Sequence, residues 1–191
     1  MNSATGDTPL AQAGTAERAY YKVTIEAPIE TVWNTLVKTD DALPFFFGAI
    51  CRTPGSLEPG APIAMETKDG KFRSVVGEVL EFSPPHRYAH TFKFTNMEDA
   101  PCTVIYELKA IAGGTEFTLI TENVPVGTKT EKSMAQGGPF ITENLKSLVE
   151  TGKPLMSGKM VMMLGPVMGW FTPRVCRSEN WSFDRIRKLE K

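Results

Sequence analysis

The stretch that decides the fold is GPFITENLKSLVETG, residues 138–152. Pro139 is tolerated at a first helical position, because its missing N–H would have no partner there. Gly152 supplies the left-handed residue that often follows a helix. The sequence therefore predicts a helix over 138–152 with one apolar stripe, formed by residues at helical spacing: Phe140, Ile141, Leu145, Leu148 and Val149.

The segments before this helix read mainly as strands. Residues 20–27 alternate between apolar and polar side chains, residues 29–37 carry apolar side chains at helical spacing, and a second short helix is expected over 40–48. Strands joined by tight turns follow, and Gly77 marks a bulge or bend in the long strand 72–82. The order predicts an α+β fold: a curved antiparallel sheet of six to seven strands, two short helices after strand 1, and a long C-terminal helix on the sheet.

The length of 191 residues suits one domain with extensions. Residues 1–18 are small, polar and aperiodic, so we interpret them as a mobile arm. Residues 19–152 form the predicted domain. Residues 153–191 form an extension that is apolar first and basic afterwards.

Charge and cysteine content exclude several classes of function. A net charge of −1 provides no global field that would attract nucleic acid. The longest apolar run, residues 160–171, is too short to span a bilayer. Three cysteines without a CxxC pair indicate free thiols in a reducing compartment. We therefore expect a cytoplasmic protein without a membrane span or a nucleic-acid partner.

Two sequence stretches carry a family resemblance. APIETVWNTL at 27–36 and GEVLEFSPPHRYAHTF at 77–92, followed by the helix that ends at Gly152, resemble the START-like (SRPBCC) superfamily. Within it, the chain is similar to the family of homologues of the activator of the heat-shock-chaperone ATPase. The resemblance implies a helix-grip fold, in which the sheet wraps around the C-terminal helix and a cavity between them holds apolar or aromatic ligands.

The strand over residues 86–95 is the most informative for function. Its alternation places Tyr88, His90 and Phe92 on one face, opposite the apolar stripe of the long helix. We predict that a small apolar or aromatic ligand binds between this face and the helix. The predicted ligand-binding residues are Trp33, Phe46, Tyr88, His90, Phe92, Tyr106, Phe140, Asn144 and Leu148.

No residue pattern predicts a catalytic residue, a metal site or a cofactor. His86 and His90 would lie roughly 13 Å apart on one strand, too far to share a metal ion. Phosphate loops, dinucleotide fingerprints and hydrolase or zinc-protease motifs are missing from the sequence. Binding is therefore favoured over catalysis. Two alternatives stay open: a cyclase-like or hydrolytic enzyme that uses His90 or a tyrosine, and a chaperone co-factor or protein-interaction module, which only the resemblance implies.

The apolar part of the extension, residues 156–171, has three interpretations. It folds back over the cavity mouth, packs on a second copy of the chain, or binds a membrane surface or a partner. Its apolar residues form no stripe, and helices that are apolar all round are usually buried. We therefore favour burial within the protein or in a homodimer, with the dimer contact formed by Met160, Met163, Leu164, Trp170 and Phe171.

Overall fold

The computed structural model describes residues 18–155 and 172–189. Residues 1–17 of the arm predicted over 1–18, and the five residues proposed for a dimer contact, therefore lie outside the described residues. The eight described strands are β1 Ala19–Ile25, β2 Ala42–Leu43, β3 Ala49–Arg52, β4 Pro62–Glu66, β5 Arg73–Ser83, β6 Arg87–Phe94, β7 Cys102–Ile111 and β8 Gly114–Glu122. The described helices are α1 Ile29–Leu36, α2 Lys129–Thr151 and α3 Phe183–Ile186, with 3-10 turns at Arg174–Cys176 and Ser178–Asn180.

All eight described strands belong to one antiparallel sheet, in the order β1-β8-β7-β6-β5-β4-β3-β2. The sheet curves strongly, and α2 lies along its concave face, in contact with β1 and β8. The predicted α+β class and the curved sheet around a long helix are confirmed. The strand count is eight rather than six to seven, because the short strand β2 stands where a second helix was predicted.

The prediction of a second short helix over 40–48 is wrong, since this segment contains β2 and a turn instead. Leu43 precedes Pro44, and a residue before proline is pushed out of the helical region into extended backbone. Leu43 accordingly pairs with Ala49 of β3. Asp40 and Phe47 adopt positive φ angles of 61° and 55°, which no right-handed helix contains.

The long helix begins nine residues earlier than predicted. Thr128 accepts a hydrogen bond from the backbone N–H of Glu131, and the Glu131 carboxylate accepts one from the N–H of Gly127. These two bonds resemble a capping box and satisfy N–H groups that a helix start leaves unpaired. Pro139 therefore lies inside the helix rather than at its first position. The predicted end is correct, because Gly152 takes a φ of 72° and its N–H donates to Leu148 O.

The predicted irregularity at Gly77 is a close approach between two backbones. A Cβ atom at this position would overlap the carbonyl group of Thr91 on the neighbouring strand β6. The N–H of Glu78 donates to Thr91 Oγ1 rather than to a backbone carbonyl, and the pairing register shifts between Val79 and Glu81. Only glycine fits where the strands approach this closely.

Residues 172–189 pack on the convex face of the sheet, opposite α2. Trp181 and Ile186 are buried against Ala64 of β4 and Val76 of β5. The Trp181 indole N–H donates to Val175 O at 2.7 Å, so its polar atom is satisfied although the ring is buried. None of the helices in residues 18–155 and 172–189 is both long and apolar enough to cross a membrane.

Candidate ligand-binding site

A cavity of about 490 Å³ lies between the concave face of the sheet and the N-terminal half of α2. It is lined mainly by aromatic and aliphatic side chains. The sheet contributes Ser74, Val75, Phe92, Phe94, Val104, Tyr106, Leu119 and Thr121, the loop between β2 and β3 contributes Phe46 and Phe47, and α2 contributes Ser133, Met134, Gln136, Gly137, Gly138, Phe140 and Ile141. None of these lining residues carries a charge.

Two adjacent glycines of α2 border the cavity and differ in the space around them. Gly137 borders the cavity, and a Cβ atom added there would have no atom within 4 Å. Gly138 differs, because a Cβ atom there would overlap the ring of Tyr21 on β1. The helix therefore approaches β1 closely through Gly138 and leaves room beside Gly137.

Two phenylalanines stand where the cavity meets solvent. The ring of Phe47 stacks on the ring of Phe140, and 44% of Phe47 is exposed. Phe47 has a positive φ of 55°, which is an outlier for a bulky residue. Such strain persists only where the surrounding structure holds it and is often found at binding sites.

A second cavity of about 10 Å³ lies deeper in the core. It shares Phe46 and Tyr106 with the larger cavity, so these two side chains stand between the two spaces. Tyr88 and His90 also line it. The smaller space holds about one water molecule.

His90 is completely buried and has a defined protonation pattern. Its Nδ1 lies 2.7 Å from the carbonyl oxygen of Thr91. A carbonyl oxygen only accepts hydrogen bonds, so Nδ1 carries the proton and Nε2 is an acceptor. Nε2 has no hydrogen-bond partner, and neither has the buried hydroxyl of Tyr88.

Burial keeps the histidine, cysteine and tyrosine side chains around the smaller cavity neutral. It lowers the pKa of His90 to about 4 and raises the pKa of the Cys51 thiol to about 12. It also raises the pKa values of Tyr88 and Tyr106 above their ordinary range. At neutral pH the site therefore offers hydrogen bonds but no charge from these groups.

Six of the nine predicted site residues line one or both cavities. Phe92 and Phe140 border the larger space, Tyr88 and His90 border the smaller one, and Phe46 and Tyr106 border both. The sheet and α2 thus bring these six residues together around two neighbouring spaces.

The other three predicted residues line neither of these cavities. Trp33 packs against Phe82, with ring centroids 5.4 Å apart. The Asn144 amide donates to Phe140 O and accepts from the N–H of Leu155, so it fastens the chain that follows α2. Leu148 packs against the apolar core.

Several lining residues were not predicted from the sequence. Met134 and Gly137 were missed because a kink or break at 137–139 was expected to separate the long helix from any helical turn over 128–136. The capping residues Thr128 and Glu131 carry the signal that would have placed both on α2. Phe47 was missed because its positive φ angle has no signature in the local sequence.

The described part of the chain holds no cluster of three or more histidine, cysteine or carboxylate side chains that would suit a metal ion. The glutamates on the strands line neither of the two cavities. The arrangement is therefore suited to holding a neutral molecule rather than to acid–base or metal chemistry.

A curved antiparallel sheet gripping a long helix, with a cavity between them, defines a protein of the START-like superfamily. The chain belongs to the family described as Activator of Hsp90 ATPase homolog 1-like protein, whose model matches residues 26–150. No curated protein matches the chain.

Solved structures share this fold at low sequence identity. DynU16, from the dynemicin biosynthetic locus, is 23% identical to this chain and has a TM-score of 0.58. The match covers 73% of this chain and 49% of DynU16, so this chain spans about half the length of DynU16. The Aha1 dimer from Colwellia psychrerythraea is 18% identical with a TM-score of 0.58 over 72% of this chain and 99% of its own. An HSP90 activator from Plasmodium falciparum is 21% identical with a TM-score of 0.53 over 74% of this chain and 99% of its own.

Proposed function

We propose that the protein binds a neutral apolar or aromatic small molecule in the larger cavity. The observation that carries this proposal is the combination of a volume of about 490 Å³ with a lining that contains no charged residue. Ligand sites typically enclose about 300–1,000 Å³ and are mostly apolar with a few polar groups. The hydroxyl groups of Ser74, Thr121 and Ser133 are such polar groups.

The aromatic content of the lining favours a ligand with a ring. Phe92 contacts Phe94 edge to face, with centroids 4.9 Å apart, and Phe46 approaches Phe92 at 6.5 Å. Rings in such arrangements offer both faces and edges to a further aromatic group. An apolar ring entering this space also removes apolar surface from water, at about 25 cal/mol per Å².

Fluorescence titration with N-phenyl-1-naphthylamine, a neutral aromatic probe, tests the proposal. We expect saturable binding to the unmodified protein. Val104 is buried in the cavity wall, so Val104→Phe should fill the space and weaken binding by about tenfold or more. Val126→Phe adds the same ring at a position that is 48% exposed and outside the cavity, and should leave binding unchanged. Lack of saturable binding to the unmodified protein would refute the proposal.

A chaperone co-factor role is a second candidate, favoured by the family description and by the fold shared with a Plasmodium HSP90 activator. To test it, the rate of ATP hydrolysis by the ninety-kilodalton heat-shock chaperone from the same cells is measured as this protein is added. A rate unchanged at saturating protein would remove this candidate.

The fold shared with an Aha1 dimer likewise supports a homodimer, which light scattering coupled to gel filtration would detect.

A further inference from the structure

We infer that the ligand carries a hydroxyl group, and that this hydroxyl occupies the smaller cavity and bonds to His90 and Tyr88. The inference rests on the proposed function and identifies the chemical class of the ligand. It follows from two polar atoms in the core, His90 Nε2 and the Tyr88 hydroxyl, that are buried and have no hydrogen-bond partner.

Buried polar atoms without partners are rare, because each costs about 1–3 kcal/mol. Here two of them belong to residues that line the same small space, and their rings lie 5.1 Å apart between centroids. Two unsatisfied groups at one place indicate a missing polar atom between them, rather than two unrelated defects.

The protonation pattern specifies what that atom must do. His90 Nδ1 donates to Thr91 O, so Nε2 can only accept a hydrogen bond. The Tyr88 hydroxyl has a proton to donate. A ligand hydroxyl satisfies both, because it donates to Nε2 and accepts from Tyr88. An ether or carbonyl oxygen would satisfy Tyr88 alone, and a methyl group would satisfy neither.

The geometry lets such a ligand span both spaces. Phe46 and Tyr106 line both cavities, so a ring in the larger cavity lies next to the partition. The smaller volume of about 10 Å³ suits one oxygen atom and not a ring. For the hydroxyl to pass from one space to the other, a side chain of this partition has to rotate, and Phe46 belongs to the loop between β2 and β3.

A permanently bound water is the competing occupant, since water also donates and accepts. The two occupants differ in their effect on affinity. If a water stays in place, a hydroxyl on the ligand gains nothing there. If the ligand replaces it, the hydroxyl strengthens binding, and the gain depends on His90 and Tyr88.

Three naphthalenes that differ only in the group at position 2 separate these cases: 2-naphthol, 2-methylnaphthalene, which matches it in size, and 2-methoxynaphthalene, which keeps the oxygen but cannot donate. Their affinities are measured by calorimetry with the unmodified protein. We expect 2-naphthol to bind about tenfold more tightly than either of the others, which corresponds to one or two additional hydrogen bonds. Equal affinities for all three would overturn the inference and leave the proposed function standing. No binding of any probe would overturn both.

Variants assign the preference to the two residues. His90→Asn keeps a donor near Thr91 O but removes the acceptor at Nε2, and Tyr88→Phe removes only the hydroxyl, so each should reduce the preference for 2-naphthol to about twofold or less. His86→Asn is the matched control, because His86 is exposed and lines neither cavity, and it should keep the full preference. Tyr88→Phe preserves the shape of the core, so it decides the question even if His90→Asn does not fold. A preference for 2-naphthol that survives in Tyr88→Phe and in any folded His90→Asn protein would overturn the inference.

Discussion

The rings of Phe47 and Phe140 stack face to face, with centroids 4.5 Å apart and planes inclined by 2°. Phe47 comes from the loop between β2 and β3, and Phe140 comes from α2, so the pair joins the two sides of the larger cavity. Phe47 holds this position at a φ of 55°. The entrance to the proposed site therefore depends on an aromatic pair in which one member is strained.

Because of that strain, glycine at position 47 should give a more stable protein than alanine, which is the reverse of the usual order. Phe47→Gly and Phe47→Ala both remove the stack, but only glycine accepts the positive φ without strain. We expect Phe47→Gly to be more stable than Phe47→Ala by about 1 kcal/mol in urea unfolding. An alanine variant as stable as the glycine variant, or more so, would show that this backbone conformation is not strained.

Alanine substitutions at the two adjacent glycines of α2 should change the stability of the protein in opposite directions. Gly137→Ala adds a methyl group where no atom lies within 4 Å, and alanine favours a helix by about 1 kcal/mol, so unfolding should require more denaturant. Gly138→Ala would overlap the Tyr21 ring, and overpacking costs about 1–3 kcal/mol, so that variant should be the less stable of the two. Equal unfolding midpoints would argue against the close contact between α2 and β1.

His90 should make stability depend on pH. Its pKa is about 4 in the folded protein and 6.5 as the ordinary value, so the unfolded chain takes up the proton first as the pH falls. This contribution is complete above about pH 6.5, declines between pH 6.5 and 4, and amounts to on the order of 3 kcal/mol. Tyr88, Tyr106 and Cys51 face the ring and stay neutral over this interval, because burial raises their pKa values.

The His90 contribution is measured as a difference between proteins, because carboxylates also lose stability in acid. Urea unfolding of the unmodified protein and of His90→Asn is compared from pH 7 to pH 4. We expect the unmodified protein to lose more stability over this range. Parallel pH curves for the two proteins would mean that His90 is not buried as a neutral group.

Trp181 should hold the C-terminal residues on the convex face. It is 4% exposed and contacts β4 and β5, so Trp181→Ala should lower the free energy of unfolding by about 3–5 kcal/mol. Leu189→Ala removes an apolar side chain that is 38% exposed, and serves as the control with an expected change below about 1 kcal/mol. Unchanged stability in Trp181→Ala would show that residues 172–189 do not contribute to the fold.

Local patterns predicted the elements whose faces are set by alternation or helical spacing. In α1, the spacing of Val32, Trp33 and Leu36 predicted the helix, and all three are buried. In β6, alternation placed Tyr88, His90 and Phe92 on one face, and this face borders the two cavities. These predictions hold because burial of one face is decided by side chains close together in the sequence.

Features that depend on distant contacts could not be predicted in this way. Pro139 was taken as a helix start because a proline inside a helix loses one hydrogen bond. The helix continues through it because α2 packs against β1 and β8, and such packing supplies most of the stability of a helix in a protein. Trp33 packs against Phe82 rather than bordering either cavity, and these two residues lie far apart in the sequence. The division between the two cavities by Tyr106 likewise arises from packing between strands.

The most direct test of the ligand site is nuclear magnetic resonance of the protein saturated with N-phenyl-1-naphthylamine. Val104, Met134 and Ile141 line the larger cavity with methyl groups, so we expect intermolecular nuclear Overhauser effects from all three to the probe. Ile105 and Ile120 belong to a separate apolar cluster and serve as controls that should show none. A probe that contacts Ile105 and Ile120, or that gives no effect at Val104, Met134 and Ile141, would contradict a ligand site between the sheet and α2.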